Sequence, residues 1–417
     1  MDNPAILAIV RAMKMDSDIV IVGGGLNGPA LALALAQRGI SVTVVDALPR
    51  PERDDAAFDG RSYALALASV RLLRAIGIWH RIKDRTQPML EIKVSDGRAG
   101  AGPLTPFSLH FDHAELEEGP MGHMCEDRVL RPAFLDAMDE VAGITTISGD
   151  AVIAQEVDAS GATLTLASGK VLRTRLIVGS DGRNSGTAQR AGIRRTGWQY
   201  GQTALVCAVT HEKPHNGIAH QFFMPPGPLA ILPLPGNMSS IVWSESDATA
   251  AAFAALSDAD FMGVLRPRFG DFLGEISLTG KRYTYPLGLS LANHFIAPRV
   301  ALVGDAAHGM HPVAGQGLNA GLRDVAALTQ VLTEAQTRGE DMAAPDVLER
   351  YQRWRRFDTA ALAATTDLSN RLFSSDNPLL RAVRDLGMGA VQAAAPLRRA
   401  LMREAAGLTG DLPDLMR

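Results

Sequence analysis

Residues 23–28 read Gly-Gly-Gly-Leu-Asn-Gly, which puts Gly23, Gly25 and Gly28 at the spacing G-x-G-x-x-G. Each glycine answers a physical need: Gly23 makes a tight turn out of a strand, Gly25 lets a pyrophosphate approach the backbone, and Gly28 lets the next helix pack on that strand. The unpaired N–H groups and the positive dipole end of that helix then face the phosphates. Asp46, 23 residues after Gly23, closes the next apolar strand and is placed to accept hydrogen bonds from an adenosine ribose. Pro29 falls in the first helical turn, where its missing N–H costs no hydrogen bond. The motif fixes a dinucleotide but leaves flavin and nicotinamide open. An acidic residue at position 46 suits either and disfavours a 2′-phosphate.

Two later segments also end an apolar strand on a carboxylate. Residues 176–179 run into Ser180-Asp181-Gly182, and residues 300–303 run into Gly304-Asp305. Strand C-terminal edges are where α/β sheets bind ligands. The second segment leads into His311-Pro312-Val313-Ala314-Gly315-Gln316-Gly317-Leu318-Asn319-Ala320-Gly321, and a helix over 318–335 is expected to start within that run. Its N-terminal amides stabilise negative charge on whatever the loop covers.

The three motifs, in this order, resemble the group A flavoprotein aromatic hydroxylases of the p-hydroxybenzoate hydroxylase fold. Within that group, residues 311–324 resemble the H-P-x-A-G-Q-G-x-N-x-G-x-x-D signature of the ubiquinone-biosynthesis hydroxylases, the family of 2-polyprenyl-6-methoxyphenol hydroxylase. Asp59-Gly60-Arg61, residues 228–234, Val242-Trp243-Ser244 and residues 372–378 are similar to it as well. One departure stands out: the Asp-Gly motif of the family continues to Ser-x-x-Arg, whereas Ser185 here is followed three residues later by Ala188, with Arg190 two positions on.

The resemblance implies FAD as cofactor. Gly23, Gly25, Leu26 and Gly28 would hold its pyrophosphate and Asp46 its ribose. Asp305, after Gly304, would hold a ribityl hydroxyl, with Asp181 and Gly182 alongside. Gly315, Gln316, Gly317, Leu318 and Asn319 would lie against the flavin pyrimidine, and Arg61 and Arg131 resemble FAD-contacting arginines. Reduced flavin carries negative charge at N1–C2=O, which suits amides placed there. The implied activity is monooxygenation: a flavin C4a-hydroperoxide, formed with O2, hydroxylates a polyprenylated phenol, and NAD(P)H supplies the electrons. No protein nucleophile is needed, and no residue is assigned as certainly catalytic. Pro312 and His311 are the flavin-proximal candidates, while His308 and His311 suit a structural role bonding loop carbonyls. Rival readings are a hydroxylase of a small phenol, a flavin-dependent isoprenoid reductase and a non-catalytic flavoprotein assembly factor.

These residues need elements to hold them. The expected fold is α/β, a Rossmann-like FAD-binding domain (16–88, 108–191, 282–345) interleaved with an antiparallel-sheet substrate domain (89–107, 192–281), plus C-terminal helices (346–417). Residues 203–210, 219–223, 229–234 and 239–244 read as short strands between Pro/Gly turns. Helices are expected over 250–256 and 259–266, with Asp258 as cap and Pro267 as stop. Phe222, Phe223, Met224 and Trp243 fit either a pocket lining or a core. The C-terminal helices, including those around 378–387 and 396–406, mix apolar residues with Arg355, Arg356, Arg381 and Arg384. That pattern suits peripheral docking on an anionic bilayer, or packing on the body, a second subunit or a biosynthetic complex.

Composition narrows the classes. The chain has 417 residues and a net charge of −4, so it carries no overall electrostatic footprint for nucleic acid. Of 41 basic residues 35 are Arg, a bias spread over the whole chain, so a single Arg says less about anion binding than usual. The two cysteines, Cys125 and Cys207, form no C-x-x-C pattern; neither a disulfide framework nor a metal site is expected, and a reducing, cytoplasmic setting fits. The apolar run 5–10 is too short for a signal peptide, and the prolines within 214–244 rule out a spanning helix there.

Overall fold

The apolar runs around the glycine motif pair as parallel strands. Ser17–Val22 lies between Val171–Gly179 and Val42–Asp46, with Ile19 opposite both Leu176 and Val42. A computed structural model describes residues 15–53, 59–96, 108–310, 315–373 and 387–417. Strand order in this sheet is Ile296–Ala297, Val300–Leu302, Val171–Gly179, Ser17–Val22, Val42–Asp46, Ile144–Ser148, and a hairpin of Val152–Val157 and Ala162–Leu166 pairs with Val171–Gly179. Ile19, Val20, Ile21, Ile177 and Val44 are fully buried, as expected for strands covered on both faces. Helix Asn27–Ala36 lies on one face, and its residues from Gly28 to Leu35 are all buried. Because Val300–Leu302, Val171–Gly179 and Val42–Asp46 run parallel in one sheet, the last two on either side of Ser17–Val22, Asp46, Asp181 and Asp305 emerge at one sheet edge.

The second eight-stranded sheet runs His308–Gly309, Ile276–Ala292, Arg195–His211, Met238–Ser246, Leu229–Leu234, Ile218–Phe223, Glu91–Asp96, Ser108–Asp112, antiparallel except for the pair Ile218–Phe223 with Glu91–Asp96. Division points at 108 and 282 do not follow this sheet: it takes in all of Ser108–Asp112, and Ile276–Ala292 crosses residue 282 as one strand. Helices Asp247–Ala254 and Asp258–Phe269 cover one face, where Trp243, Phe222 and Met224 pack with Phe261 and Phe269. Two local expectations are corrected. Ser257, not Asp258, caps the second helix by accepting from the Asp260 amide, a cap worth about 1 kcal/mol. Pro267 lies inside that helix, which ends instead at Gly270 with φ +83°, a conformation that favours glycine.

A three-stranded sheet of Ser62–Ala66, Gly122–Glu126 and Gln87–Met89 packs Met89 and Met124 on Ala208 and Leu234 of the second large sheet. The helix after the glycine loop is longer than expected, Gln316–Thr337. Helix Pro345–Phe373 then bridges both sheets. Near its start the Tyr351 hydroxyl donates to the Leu302 carbonyl at 2.7 Å; near its end Asp367 accepts from Tyr200 and Asn370 donates to Gln202. Helix Ala395–Ala405 packs Met402 against Leu116 and Met121. Residues 374–386, and with them most of the helix expected around 378–387, lie outside the described residues. No helix among the described residues is long and apolar enough to cross a membrane.

Candidate active site

The glycine loop is closed by its own backbone. Gly23 donates to the Val45 carbonyl at 2.8 Å, and Asp46 accepts from the amides of Gly24 at 2.5 Å and Leu48 at 2.7 Å. A Cβ on Gly28 would sit 2.0 Å from the Gly23 carbonyl oxygen, so helix and loop can approach only without a side chain. Gly25 differs: a Cβ there would meet no protein atom within 4 Å. No described protein atom demands a glycine at that position, and the open space beside it fits a pyrophosphate.

Two helix N-termini reach this edge, and neither has a side-chain cap. One follows Leu26; the other follows Gly315, which has φ +64°. Helix starts of this kind suit an anion or an electron-rich ring edge. A cavity of about 600 Å³ connects them, lined on this side by Leu26, Asn27, Asp305 and residues 315–319. The Asp305 carboxylate is half exposed and has the Arg183 Nε at 3.5 Å. The chain's own features therefore fit FAD: a glycine cradle, two uncapped helix ends and a carboxylate beside the cavity.

Asn319 does more than a loop residue needs to. Its Oδ1 accepts from the Ala66 amide at 2.9 Å and the Ser69 hydroxyl at 2.8 Å, and its Nδ2 donates to the carbonyls of Ala64 and Gly315 at 2.8 and 3.1 Å. The side chain thus ties the start of helix Gln316–Thr337 to strand Ser62–Ala66.

Behind the loop lies a buried charge cluster. The Asp324 carboxylate, fully buried, accepts from the Gly304 amide at 2.9 Å, His308 Nε2 at 2.5 Å and Arg355 Nε at 2.8 Å. Burial alone pushes its pKa up, yet His308 and Arg355 outweigh that and hold it below the ordinary carboxylate range. His308 therefore bonds a carboxylate and not a loop carbonyl, which corrects the expectation for it. The flavin-proximal candidates His311 and Pro312 lie outside the described residues.

The two arginines converge on one acid. Arg131 makes a two-point contact with Asp127, at 2.8 and 3.1 Å, and lines the cavity. Arg61 pairs with Asp59 at 2.6 Å and reaches Asp127 at 3.3 Å, one residue before the cavity-lining Ser62. Tyr63 donates to the same carboxylate at 2.8 Å; burial first, and Asp127 second, push its hydroxyl well above the usual tyrosine range. Asp181 and Gly182 stand apart from the cavity lining. Asp181 accepts from Ser185 Oγ and from the Thr187 amide and hydroxyl, so its carboxylate organises the turn into helix Gly186–Arg190.

Sequence reasoning passed over Arg183, Arg195 and the cavity's far side. Arg195 donates to the carbonyls of Asp305 and Ala306 and to Ser290 Oγ, tying the large sheet to the Gly304–Ala306 turn. Beyond the dinucleotide cradle the cavity continues over the face of the antiparallel sheet opposite helices Asp247–Ala254 and Asp258–Phe269, past Ile92, Val94, Leu232 and Val242, to Leu401, Met402 and Ala405 of the C-terminal helix. Phe223 lines it, whereas Phe222, Met224 and Trp243 belong to the core beneath.

Residues 16–366 match the family model described as an FAD binding domain. The ubiquinone hydroxylase UbiL of Rhodospirillum rubrum is 45% identical over 96% of this chain and 92% of its own length. The chain belongs to the family of FAD-dependent ubiquinone hydroxylases. The 3-demethoxyubiquinol 3-hydroxylase of Escherichia coli is 36% identical over 94% of this chain and 99% of its own. The human ubiquinone biosynthesis monooxygenase COQ6 is 30% identical over 92% and 91%. In fold the chain is similar to p-nitrophenol 4-monooxygenase PnpA from Pseudomonas putida, with a TM-score of 0.79 at 19% identity over 95% of this chain and 99% of that one. It is an FAD-dependent aromatic-ring monooxygenase, and NAD(P)H is the reductant typical of its family.

Proposed function

We propose that this enzyme hydroxylates the aromatic ring of a polyprenylated phenol on the way to ubiquinone. The observation that carries the reading is one cavity joining the dinucleotide cradle to an apolar floor that runs on to Leu401 and Met402. A ring carrying an isoprenoid tail needs that continuity; a small polar phenol does not. Bound, reduced FAD supplies the activation of O2. The chain supplies the setting. The uncapped start of helix Gln316–Thr337 stabilises negative charge at the ring edge it faces. Ile92, Val94, Phe111 and Val242 keep water from the reacting ring. Leu397 and Leu401 are 47% and 42% exposed, and Leu401 also lines the cavity. This supports delivery of the tail from a membrane surface, with the chain peripheral on its cytoplasmic face.

The test is complementation of ubiquinone-deficient strains, each blocked at one ring hydroxylation, with accumulated precursors identified by mass. Restored ubiquinone in one of them is expected. A yellow, folded protein that restores none, and leaves every precursor unchanged, overturns the reading.

A further inference from the structure

We propose that Gln221 binds the hydroxyl group of the substrate ring and so sets where the ring lies on the cavity floor. The proposal rests on the phenol reading above.

The floor is one face of the large sheet, and strand pairing fixes its rows. Gln221 stands opposite Val94 on one side and Ala230 on the other; Ala230 pairs with Val242, which pairs with Val206. All five line the cavity. In the next row Phe111 pairs with Ile92, and Ile92 with Ala219. Among the described residues of this face that line the cavity, only Gln221 and Ser240 carry a polar side chain. Ser240 is 2% exposed and short. Gln221 is half-buried, and its amide makes no hydrogen bond with any described residue, yet neither of its polar atoms is sealed off from the cavity.

An amide surrounded by valine and alanine is costly to leave without a partner once water is displaced. A ligand that fills the cavity must therefore either satisfy Gln221 or strand it. A phenolic hydroxyl satisfies it in either protonation state: Oε1 accepts from the O–H, and Nε2 donates to a phenolate. Ala219, on the same strand and face, and Ala230, across from it, place only methyl groups beside the amide on the cavity floor. A site built to hydrogen-bond a hydroxyl rejects the analogue that lacks one far more strongly than an apolar site does.

The experiment is a titration of the FAD-loaded enzyme with two probes, 2-geranylphenol and geranylbenzene, followed by the change in flavin absorbance. The native enzyme should bind the phenol at least about tenfold more tightly. Gln221→Met keeps length and volume but removes the amide; it should bind the two probes within about threefold of each other, with geranylbenzene affinity unchanged. Gln221→Leu is the second variant should the first lose FAD, and Ser240→Ala should keep the native preference. A Gln221→Met enzyme that still prefers the phenol about tenfold overturns the assignment while leaving the function intact. If the native enzyme binds neither probe, the phenol reading falls and the assignment with it.

Discussion

Arg355→Met tests whether the buried charge cluster carries the flavin-facing segments. The Arg355 side chain is 2% exposed and that of Asp324 is fully buried, so removing the guanidinium leaves a carboxylate without its charge partner in the protein interior. Breaking such a pair costs about 3–5 kcal/mol. Asp324 keeps the Gly304 amide and His308 as donors, so the lower figure, about 3 kcal/mol, is expected. With roughly 2.1 cal/mol/K per residue of unfolding entropy over 417 residues, that is a drop in Tm of about 3 °C. Differential scanning calorimetry of the apoprotein at pH 7 measures it. The double variant Asp324→Asn with Arg355→Met removes the stranded charge and should lose at least about 1 kcal/mol less than the two single losses added together. The pH dependence has a definite sign. The folded Asp324 carboxyl titrates below the unfolded one, so its contribution is present above about pH 4 and is lost as pH falls through the folded value. Native enzyme and Arg355→Met should therefore converge in acid. A loss under about 1 kcal/mol at pH 7, or strict additivity in the double variant, refutes the reasoning.

Three further substitutions have defined outcomes. Gly25→Ala should leave apoprotein stability within about 0.5 kcal/mol of native, since its Cβ meets nothing, yet lower FAD affinity at least about tenfold through the pyrophosphate. Gly28→Ala, whose Cβ would lie 2.0 Å from a backbone oxygen, should instead destabilise the apoprotein by about 3 kcal/mol. Flavin fluorescence titration paired with calorimetry separates the two. His220 is depressed from 6.5 to about 4, chiefly by burial and also by Lys93. Between those values the unfolded chain binds a proton that the folded one refuses, so stability falls as pH drops through the window. His220→Phe should flatten that fall by up to about 3 kcal/mol in urea melts at pH 7 and pH 4.5, and an unchanged slope would rule the cause out.

The N-terminal cradle was legible because its chemistry is local. Residues 18–46 contain the strand, the turn, the helix and the acid together, and the close approach of helix to loop alone requires glycine at Gly28. The strands over 203–210, 219–223, 229–234 and 239–244 were legible for the same reason, as apolar runs bounded by Pro and Gly. The structure lengthened the first by pairing it with Ile276–Ala292, a neighbour far along the chain that no local window contains.

What only the tertiary structure decided are partnerships between distant segments. Asn319 belongs to a readable loop motif, but three of its four side-chain hydrogen bonds reach strand Ser62–Ala66 and Ser69, about 250 residues earlier. Arg355 reads as one arginine among 35, and only burial beside Asp324 separates it from a surface residue. Gln221 is unremarkable in sequence; alternation puts it on one of two faces, and only the helices packed over the opposite face assign it to the cavity. The sequence therefore determined the cofactor cradle and the family, because backbone conformation and glycine spacing are short-range properties. Packing decided the substrate floor, the cluster behind the flavin loop and the link to the C-terminal helix. A side chain's burial and hydrogen-bond partners are set by what the rest of the chain brings against it.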